Sequence, residues 1–179
     1  MTSPCDPANA PVGDVGAALM VVDSRLKAIY DGGSKTDPEQ QQMIDQFAAS
    51  MDRAGFDALL DGACTLIYMY MSWLRAACED HDEEVIEYVV PSLVETMRMM
   101  PKTFKPEVIP TMTGLVIAAG TGLSPNLWRA QYGGWTSAEM NPLEATVVLL
   151  AEKINRMAGD DHDFATRLIT GALSGADAD

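Results

Sequence analysis

Two segments of the chain place apolar residues at alternating spacings of four and three. Such a pattern sets the apolar side chains along one stripe of an α-helix, where they can face a core. The stripe residues are Val15, Leu19, Val22, Leu26 and Ile29 in the first segment, and Leu143, Val147, Leu150, Ile154 and Met157 in the second. Because strand-like alternation is scarce in the rest of the chain, the sequence predicts an all-α bundle of about six to eight helices.

A long apolar segment predicts the central helix of this bundle, at about residues 56–79. Residues 62–78, GACTLIYMYMSWLRAAC, contain no charge before Arg75. A membrane span needs about 20 such residues, and basic residues normally flank it. Here the apolar segment is shorter and its flanks are acidic. We therefore expect a helix buried inside a soluble bundle.

Proline and glycine mark the limits of other helices. A helix with a buried face of Ile44, Phe47 and Met51 is expected before Gly55. Another is expected at about residues 82–100, where Pro91 predicts a kink or a break because proline lacks the N–H that a helix interior requires.

The composition fits one acidic domain. The 179 residues include 26 Asp and Glu against 12 Lys and Arg, which gives a net charge of −14. A field of this sign disfavours nucleic acid, whose phosphates must be neutralised by Lys and Arg, and it disfavours an anionic membrane surface. We expect a disordered lead at residues 1–13, one helical domain at residues 14–173, and a disordered acidic tail at residues 174–179.

The cysteines indicate a reducing compartment. Cys5, Cys64 and Cys78 show no metal-binding spacing. An odd number of cysteines without a secretion signal is typical of reduced thiols, and the first residues have neither the basic segment nor the apolar core of such a signal. The sequence therefore predicts a cytoplasmic protein.

Both histidines of the chain lie between aspartates. His81 is found in CEDHDEE and His162 in GDDHDF. The simplest interpretation is that each cluster starts a helix, because each holds two carboxylates at the spacing of an N-cap residue and its return carboxylate. These pairs are Asp80 with Glu83, and Asp160 with Asp163.

The same clusters are candidate metal ligands if they meet in space. Two imidazoles and several carboxylates would suit Zn, Mn or Fe. The candidate ligands are His81, Asp82, Glu84, Glu87, His162 and Asp163. The His–Asp pairs resemble those of the HD-domain phosphohydrolases, although the separate histidine of that family has no counterpart here. This resemblance implies a metal-dependent hydrolase with a divalent metal ion as its cofactor.

A second resemblance involves the glutamates after His81. Glu83, Glu84 and Glu87 resemble the EExxE motif of the all-α nucleotide pyrophosphatases, in which carboxylates one turn apart hold Mg²⁺ beside a triphosphate. Carboxylate oxygens are the ligands that Mg²⁺ prefers. Those enzymes carry a further acidic pair on the next helix, and this chain has no such pair at the expected distance.

The segment NLWRAQYGGW, residues 126–135, is the main candidate for contact with a partner or ligand. It concentrates Trp128, Arg129, Tyr132 and Trp135, and these residue types dominate the hot spots of protein interfaces. The alternative is a loop whose aromatic rings are tucked into the bundle.

These observations favour a non-enzymatic regulatory or protein-interaction module without a cofactor, acting on a protein partner or as a homo-oligomer. The first alternative is a helical small-molecule sensor whose pocket is lined by Tyr68, Tyr70, Met71 and Trp73 together with the aromatic segment 126–135. The second alternative is the metal-dependent hydrolase.

Overall fold

The computed structural model describes residues 3–32 and 38–176. Within these ranges the chain forms eight α-helices and two short 3-10 helices, Pro7–Asn9 and Ser137–Glu139, and no strand. The α-helices are α1 (Val15–Tyr30), α2 (Pro38–Ser50), α3 (Arg53–Glu79), α4 (Val85–Arg98), α5 (Ile109–Gly120), α6 (Pro125–Ala130), α7 (Met140–Met157) and α8 (Phe164–Ala176). The predicted all-α class is confirmed.

The predicted central helix is α3. It begins slightly earlier than expected because the carboxylate of Asp52 accepts a hydrogen bond from the N–H of Gly55 and caps the helix. Six of the other helices, α1 and α4 to α8, pack against α3, and Leu66, Ile67 and Leu74 are fully buried on it. No helix in the described ranges combines the length and the apolar character that crossing a membrane requires.

The two predicted stripes are buried except at their C-terminal ends. Leu26 and Ile154, near these ends, are almost completely buried. The last stripe residue of α1, Ile29, is 52% exposed, and the last of α7, Met157, is only half-buried. Each stripe thus continues past the edge of the core onto the surface.

α2 departs from its predicted packing. Phe47 and Met51 are only half-buried, and Met43 is 61% exposed. The side chain of Ile44 lies outside the described residues. None of the side chains described in α2 is buried.

α4 is one helix that contains Pro91, so the predicted break is absent. Pro91 leaves the carbonyl of Glu87 without its usual N–H donor. Both residues are exposed, so water can hydrate this carbonyl. The helix continues because α3 and α5 pack on its other side.

Residues 3–13 pack against the helices, which differs from the expected disordered lead. Cys5 is buried, and its carbonyl accepts a hydrogen bond from the N–H of Ser124 at 2.8 Å. The hydroxyl of Thr65 donates to the carbonyl of Val12 at 2.7 Å. These contacts use backbone carbonyls, which leave no pattern in the sequence. At the other end, α8 extends to Ala176, and residues 177–179 of the predicted tail lie outside the described residues.

Candidate functional site

An open groove runs between α4 and α7, beside the C-terminal end of α1. α4 packs on α3 and α5, whereas α7 packs mainly on α1, α3 and α8. The surface between α4 and α7 therefore remains uncovered. The wider part of the groove has a volume of about 740 Å³, and a shallower part of about 370 Å³ continues it toward the start of α7. We call the whole feature the α4/α7 groove.

The surface of the α4/α7 groove is largely apolar. Ile29 and Tyr88 are exposed within it, while Met100, Leu149 and Met157 are half-buried along it. Ile29 and Met157 are the stripe ends that the core leaves uncovered. Uncovered apolar side chains gathered in one groove are typical of a surface that binds another molecule.

The polar side chains on the α4 wall are already satisfied by their own helix. The hydroxyl of Ser92 donates to the carbonyl of Val89 at 3.1 Å, and the hydroxyl of Thr96 donates to the carbonyl of Ser92 at 2.9 Å. Back-bonding of this kind is common for Ser and Thr in helices. A molecule in the groove therefore meets few unsatisfied donors on this wall.

The rim of the α4/α7 groove is basic although the protein is strongly acidic. Four of the 12 Lys and Arg residues of the chain line the groove, together with two carboxylates, those of Glu144 and Glu152. The cations are Arg25, Lys102, Lys153 and Arg156. The groove thus carries a positive excess on a chain whose net charge is −14.

The four cations differ in their surroundings. Arg25 pairs with Glu144, and Arg156 pairs with Glu152. The ammonium of Lys153 lies 4.7 Å from the centre of the Tyr88 ring and so joins the α7 wall to the α4 wall. Lys102 is exposed at the opposite end of the groove.

Arg129, one of the predicted contact residues, is an internal anchor of its loop. Its guanidinium donates to both carboxylate oxygens of Glu139, at 2.9 and 2.6 Å. It also donates to the carbonyls of Gly133 and Gly134, at 2.9 and 3.1 Å. Because Arg129 is buried and all three of its nitrogens are engaged, the structure gives no support to a role in partner contact.

The carboxylate of Glu139 is held ionised by its hydrogen bonds. Burial by itself would raise its pKa, but hydrogen bonds from Arg129 and Thr136, together with the positive charge of Arg129, lower the pKa below its usual value. The hydrogen bond to Glu139 in turn raises the pKa of Arg129. The pair therefore acts as a fixed charged link between α6 and the start of α7.

The three aromatic candidates of this segment have different surroundings. The Trp128 ring lies so close to Gly114 that a Cβ atom there would be 2.1 Å from it. Trp135 covers the Arg129 guanidinium, which lies 4.8 Å from its ring centre. Tyr132 is largely exposed, beside a recess of about 520 Å³. Partner contact stays a prediction for all three rings, of which Tyr132 is the most exposed.

The cluster around His81 forms the turn between α3 and α4, and its predicted capping pair is wrong. Asp80 is the C-cap residue of α3 rather than the N-cap of the next helix. Asp82 has a φ of 56°, the left-handed conformation that Asp tolerates better than most residues. Glu84 precedes the first residue of α4 without a side-chain capping bond.

The cluster around His162 forms a different turn, and its predicted capping pair is also wrong. Asp161, not Asp160, accepts the hydrogen bond from the N–H of Asp163, at 3.1 Å. Asp161 also pairs with Arg167, and this hydrogen bond lowers the pKa of its carboxyl. The left-handed residue here is Asp160, with a φ of 57°. The two clusters share the sequence Asp-His-Asp but have different backbone geometries.

His162 packs on the end of α1. Its ring stacks on that of Tyr30 with centres 3.7 Å apart and an interplanar angle of 3°. Its carbonyl accepts a hydrogen bond from the side-chain amide of Asn155 at 3.0 Å. The same amide nitrogen donates to the Tyr30 hydroxyl at 3.1 Å, so Asn155 links α1, α7 and the turn before α8.

The predicted metal ligands are not gathered into one site. Across residues 3–32 and 38–176, no three His, Cys, Asp or Glu side chains lie where they could hold a metal ion. Glu83 and Glu84 precede α4, and of the EExxE glutamates only Glu87 lies in that helix. The metal hypothesis stays a prediction and finds no ligand set in the described geometry.

Two of the residues predicted to line a sensor pocket are closed to a ligand. Tyr70 and Met71 are fully buried in the core, so they do not line an open space. Burial raises the pKa of the Tyr70 hydroxyl. Tyr68 lines a cavity of about 200 Å³ together with Cys64 and Pro125, a volume too small for a drug-sized ligand.

Replacing Asn155 with alanine is expected to lower the free energy of unfolding by about 1–3 kcal/mol. The variant leaves the buried N–H of Ala165 without the acceptor that it has at 2.7 Å, and Tyr30 and His162 also lose a partner. Urea unfolding followed by circular dichroism measures the change. The matched control is Asn141→Ala, at an exposed position of the same helix, which should change stability by less than about 0.5 kcal/mol. Equal effects of the two variants would contradict the linking role of Asn155.

Sequence analysis did not identify the α4/α7 groove, because the residues of its rim come from four separate segments of the chain. The only signal was at the stripe ends, Ile29 and Met157, which were expected in the core.

Comparisons of this chain with protein-family models, with curated proteins and with solved structures found no match.

Proposed function

We propose that this chain is a protein-interaction module whose α4/α7 groove binds an acidic amphipathic helix. The observation that carries the proposal is the combination of an apolar groove and a basic rim on an acidic protein. Helix-in-groove binding is a common mode of peptide recognition, in which an apolar helix face enters an apolar groove.

The dimensions of the groove support a helical ligand. The α4 wall has 14 residues, which at about 1.5 Å per residue correspond to about 21 Å. Tyr88 lies near one end of this wall and Met100 just beyond the other. A helix of about four turns would therefore run along the whole groove, with its apolar face toward Ile29 and Leu149.

The charge of the rim selects an acidic helix over a basic one. Lys102 and Lys153 stand at opposite ends of the groove, and Lys153 is half-buried. Charges around an interface increase the association rate of a complementary partner and disfavour partners of like charge. Acidic residues elsewhere on the chain would repel an acidic ligand, so the rim confines its binding to this surface.

The cysteines and the net charge support a compartment and a class of partner for the module. The three cysteines are free and buried, which supports a reducing compartment such as the cytoplasm. The net charge of −14 disfavours nucleic acid as a partner. We therefore propose a protein partner or a homo-oligomer, and neither a cofactor nor a reaction is required for this function.

The proposal is tested with three designed helical peptides that share one leucine stripe and differ in their other positions. These positions carry mainly glutamate, glutamine or lysine. We expect fluorescence anisotropy to show the tightest binding for the glutamate peptide and the weakest for the lysine peptide. Raising the salt concentration should reduce the difference, because exposed charges are screened.

A charge-reversed groove provides the control for this experiment. Lys102→Glu combined with Lys153→Glu should weaken binding of the glutamate peptide by roughly tenfold, or about 1.4 kcal/mol. Lys105→Glu is the matched variant, because Lys105 is exposed in the same connection but does not line the groove. Failure of all three peptides to bind, or equal effects of the groove variant and Lys105→Glu, would reject the proposal.

A further inference from the structure

We propose that the helix that enters the α4/α7 groove is α2 of a second copy of this chain. The inference rests on the proposed function and specifies the partner. Two features of one chain, each incomplete in a single copy, would complete each other in a dimer. These features are the open apolar groove and the partly exposed apolar side chains that are described on α2.

α2 has the apolar face that such a groove requires. Met43, Phe47 and Met51 follow each other at intervals of four residues, so they lie on one side of the helical path. Met43 is 61% exposed, and Phe47 and Met51 are half-buried. None of the other described side chains of α2 is buried. An amphipathic helix in this condition is stabilised by packing its apolar face against a partner.

The charge of α2 is opposite to that of the groove. Residues 38–52 contain Glu39, Asp45 and Asp52 and no Lys or Arg. The groove contributes four cations and two carboxylates. On a chain with a net charge of −14, most surfaces of a second copy would repel α2. The basic rim therefore gives α2 a preferred surface on that copy.

The lengths of the two elements also agree. α2 has 13 residues and the α4 wall has 14. Both correspond to about 20 Å of helix. The apolar residues of α2 would therefore follow the groove between its two ends, which are marked by Tyr88 and Met100.

A second copy could cover the groove together with the exposed part of α2. No described residue of α2 lines the groove. The end of α2 is separated from α3 only by Met51 and Asp52, and Asp52 caps α3 through the N–H of Gly55. This cap fixes the end of α2 at the start of α3.

The exchange would be reciprocal. Each copy would give its α2 to the groove of the other, and the two contacts would be related by a two-fold axis, the commonest symmetry of protein dimers. Neither contact needs an element that the other copy lacks, so assembly would stop at two chains.

The test is the mass of the full-length chain in solution, measured by sedimentation equilibrium from about 1 to 500 µM, a range that detects dissociation constants in the micromolar range. We expect a dimer for the wild type. Met43→Glu places a charge in the apolar contact, and it should weaken dimerisation by roughly a hundredfold. Lys102→Glu combined with Lys153→Glu should weaken it by at least about tenfold. Met20→Glu, at another exposed methionine, should leave the dimer unchanged.

The specificity of the pairing is tested with a charge swap. Met43→Lys should weaken the dimer when the groove keeps Lys102 and Lys153, and it should weaken the dimer less in a chain that also carries Lys102→Glu and Lys153→Glu. Equal weakening in the two backgrounds would mean that Met43 does not meet these lysines, and it overturns the inference. A wild type that is monomeric at about 500 µM also overturns it, as does a dimer that Met43→Glu leaves intact.

The designed peptides separate this inference from the proposed function. Met43→Glu keeps the groove and offers no competing α2. If the glutamate peptide binds this variant but the wild type is monomeric, the groove binds an acidic helix other than α2, and only the inference fails. If the peptide does not bind this variant, the proposed function fails as well.

Discussion

Replacing Glu139 with alanine is expected to lower the free energy of unfolding by about 3–5 kcal/mol, because it leaves a buried guanidinium without its counter-ion. The side chains of Arg129 and Glu139 are only 7% and 9% exposed. The variant would leave Arg129 with two backbone carbonyls as its remaining acceptors. Urea unfolding measured by circular dichroism and by tryptophan fluorescence should report the loss together, because Trp135 lies over Arg129.

The matched control is Glu79→Ala, which removes a carboxylate from an exposed ion pair. Arg75 and Glu79 are 49% and 67% exposed, and such pairs contribute about 1 kcal/mol or less. A double variant, Arg129→Met with Glu139→Leu, removes both charges and should recover part of the stability lost by Glu139→Ala. If Glu139→Ala and Glu79→Ala have equal effects, the Arg129–Glu139 pair is not an anchor of the fold.

The pH dependence of stability provides a second measurement on the same pair. The pKa of Glu139 in the folded protein is lowered from its usual value of 4.5. Its contribution to stability is therefore fully present above the unfolded pKa and is lost as the pH falls through the folded pKa. Glu139→Gln should remove this part of the acid destabilisation, so its stability should fall less steeply below about pH 4.5. A profile parallel to that of the wild type would contradict the shift.

The fold was largely predictable because helical periodicity is a local property. Spacings of four and three identified α1 and α7, and the long apolar segment identified α3. Periodicity does not show where along a helix the buried core ends. Leu26 and Ile29 occupy equivalent stripe positions, yet the first is buried and the second is exposed in the groove. The difference depends on which helix lies opposite, and that is set by the tertiary arrangement.

The turns were predicted less well because several conformations compete for the same residues. An Asp before a helix can cap it, end the preceding helix or adopt a left-handed φ. Asp80, Asp82 and Asp161 show these outcomes, in that Asp80 ends α3, Asp82 is left-handed and Asp161 caps the turn before α8. Backbone geometry decides among them, and the cluster sequences alone do not encode it.

The groove was beyond sequence analysis for a physical reason. Arg25, Lys102 and Lys153 belong to three segments separated by 50 residues or more, and only packing brings them to one rim. In contrast, the segment around Trp128 was predicted to contact a partner because of its composition. There Arg129 and Trp135 turned out to hold the loop together. Residue types that are common in interfaces are also common in internal anchors, so composition could not separate the two roles.

Gly62→Ala and Gly171→Ala are the same substitution inside two helices, yet we expect opposite effects on stability. Alanine is favoured over glycine in a helix by about 0.8–1 kcal/mol. At Gly171, in α8, nothing lies within 4 Å of the position a Cβ would take. Gly171→Ala should therefore raise the free energy of unfolding by about 0.5–1 kcal/mol.

At Gly62, in α3, a Cβ would lie 2.3 Å from the carbonyl oxygen of Asp14. This neighbour is backbone and cannot rotate away, and Asp14 also caps α1 through the N–H of Ala17. Gly62→Ala should therefore lower the free energy of unfolding by about 1–3 kcal/mol despite its better helix propensity. Chemical denaturation of both variants measures the sign of the change in the free energy of unfolding for each. Stabilisation by Gly62→Ala would mean that α1 can move away from α3 without loss, so the close approach of Gly62 to Asp14 would not hold the first helix in place.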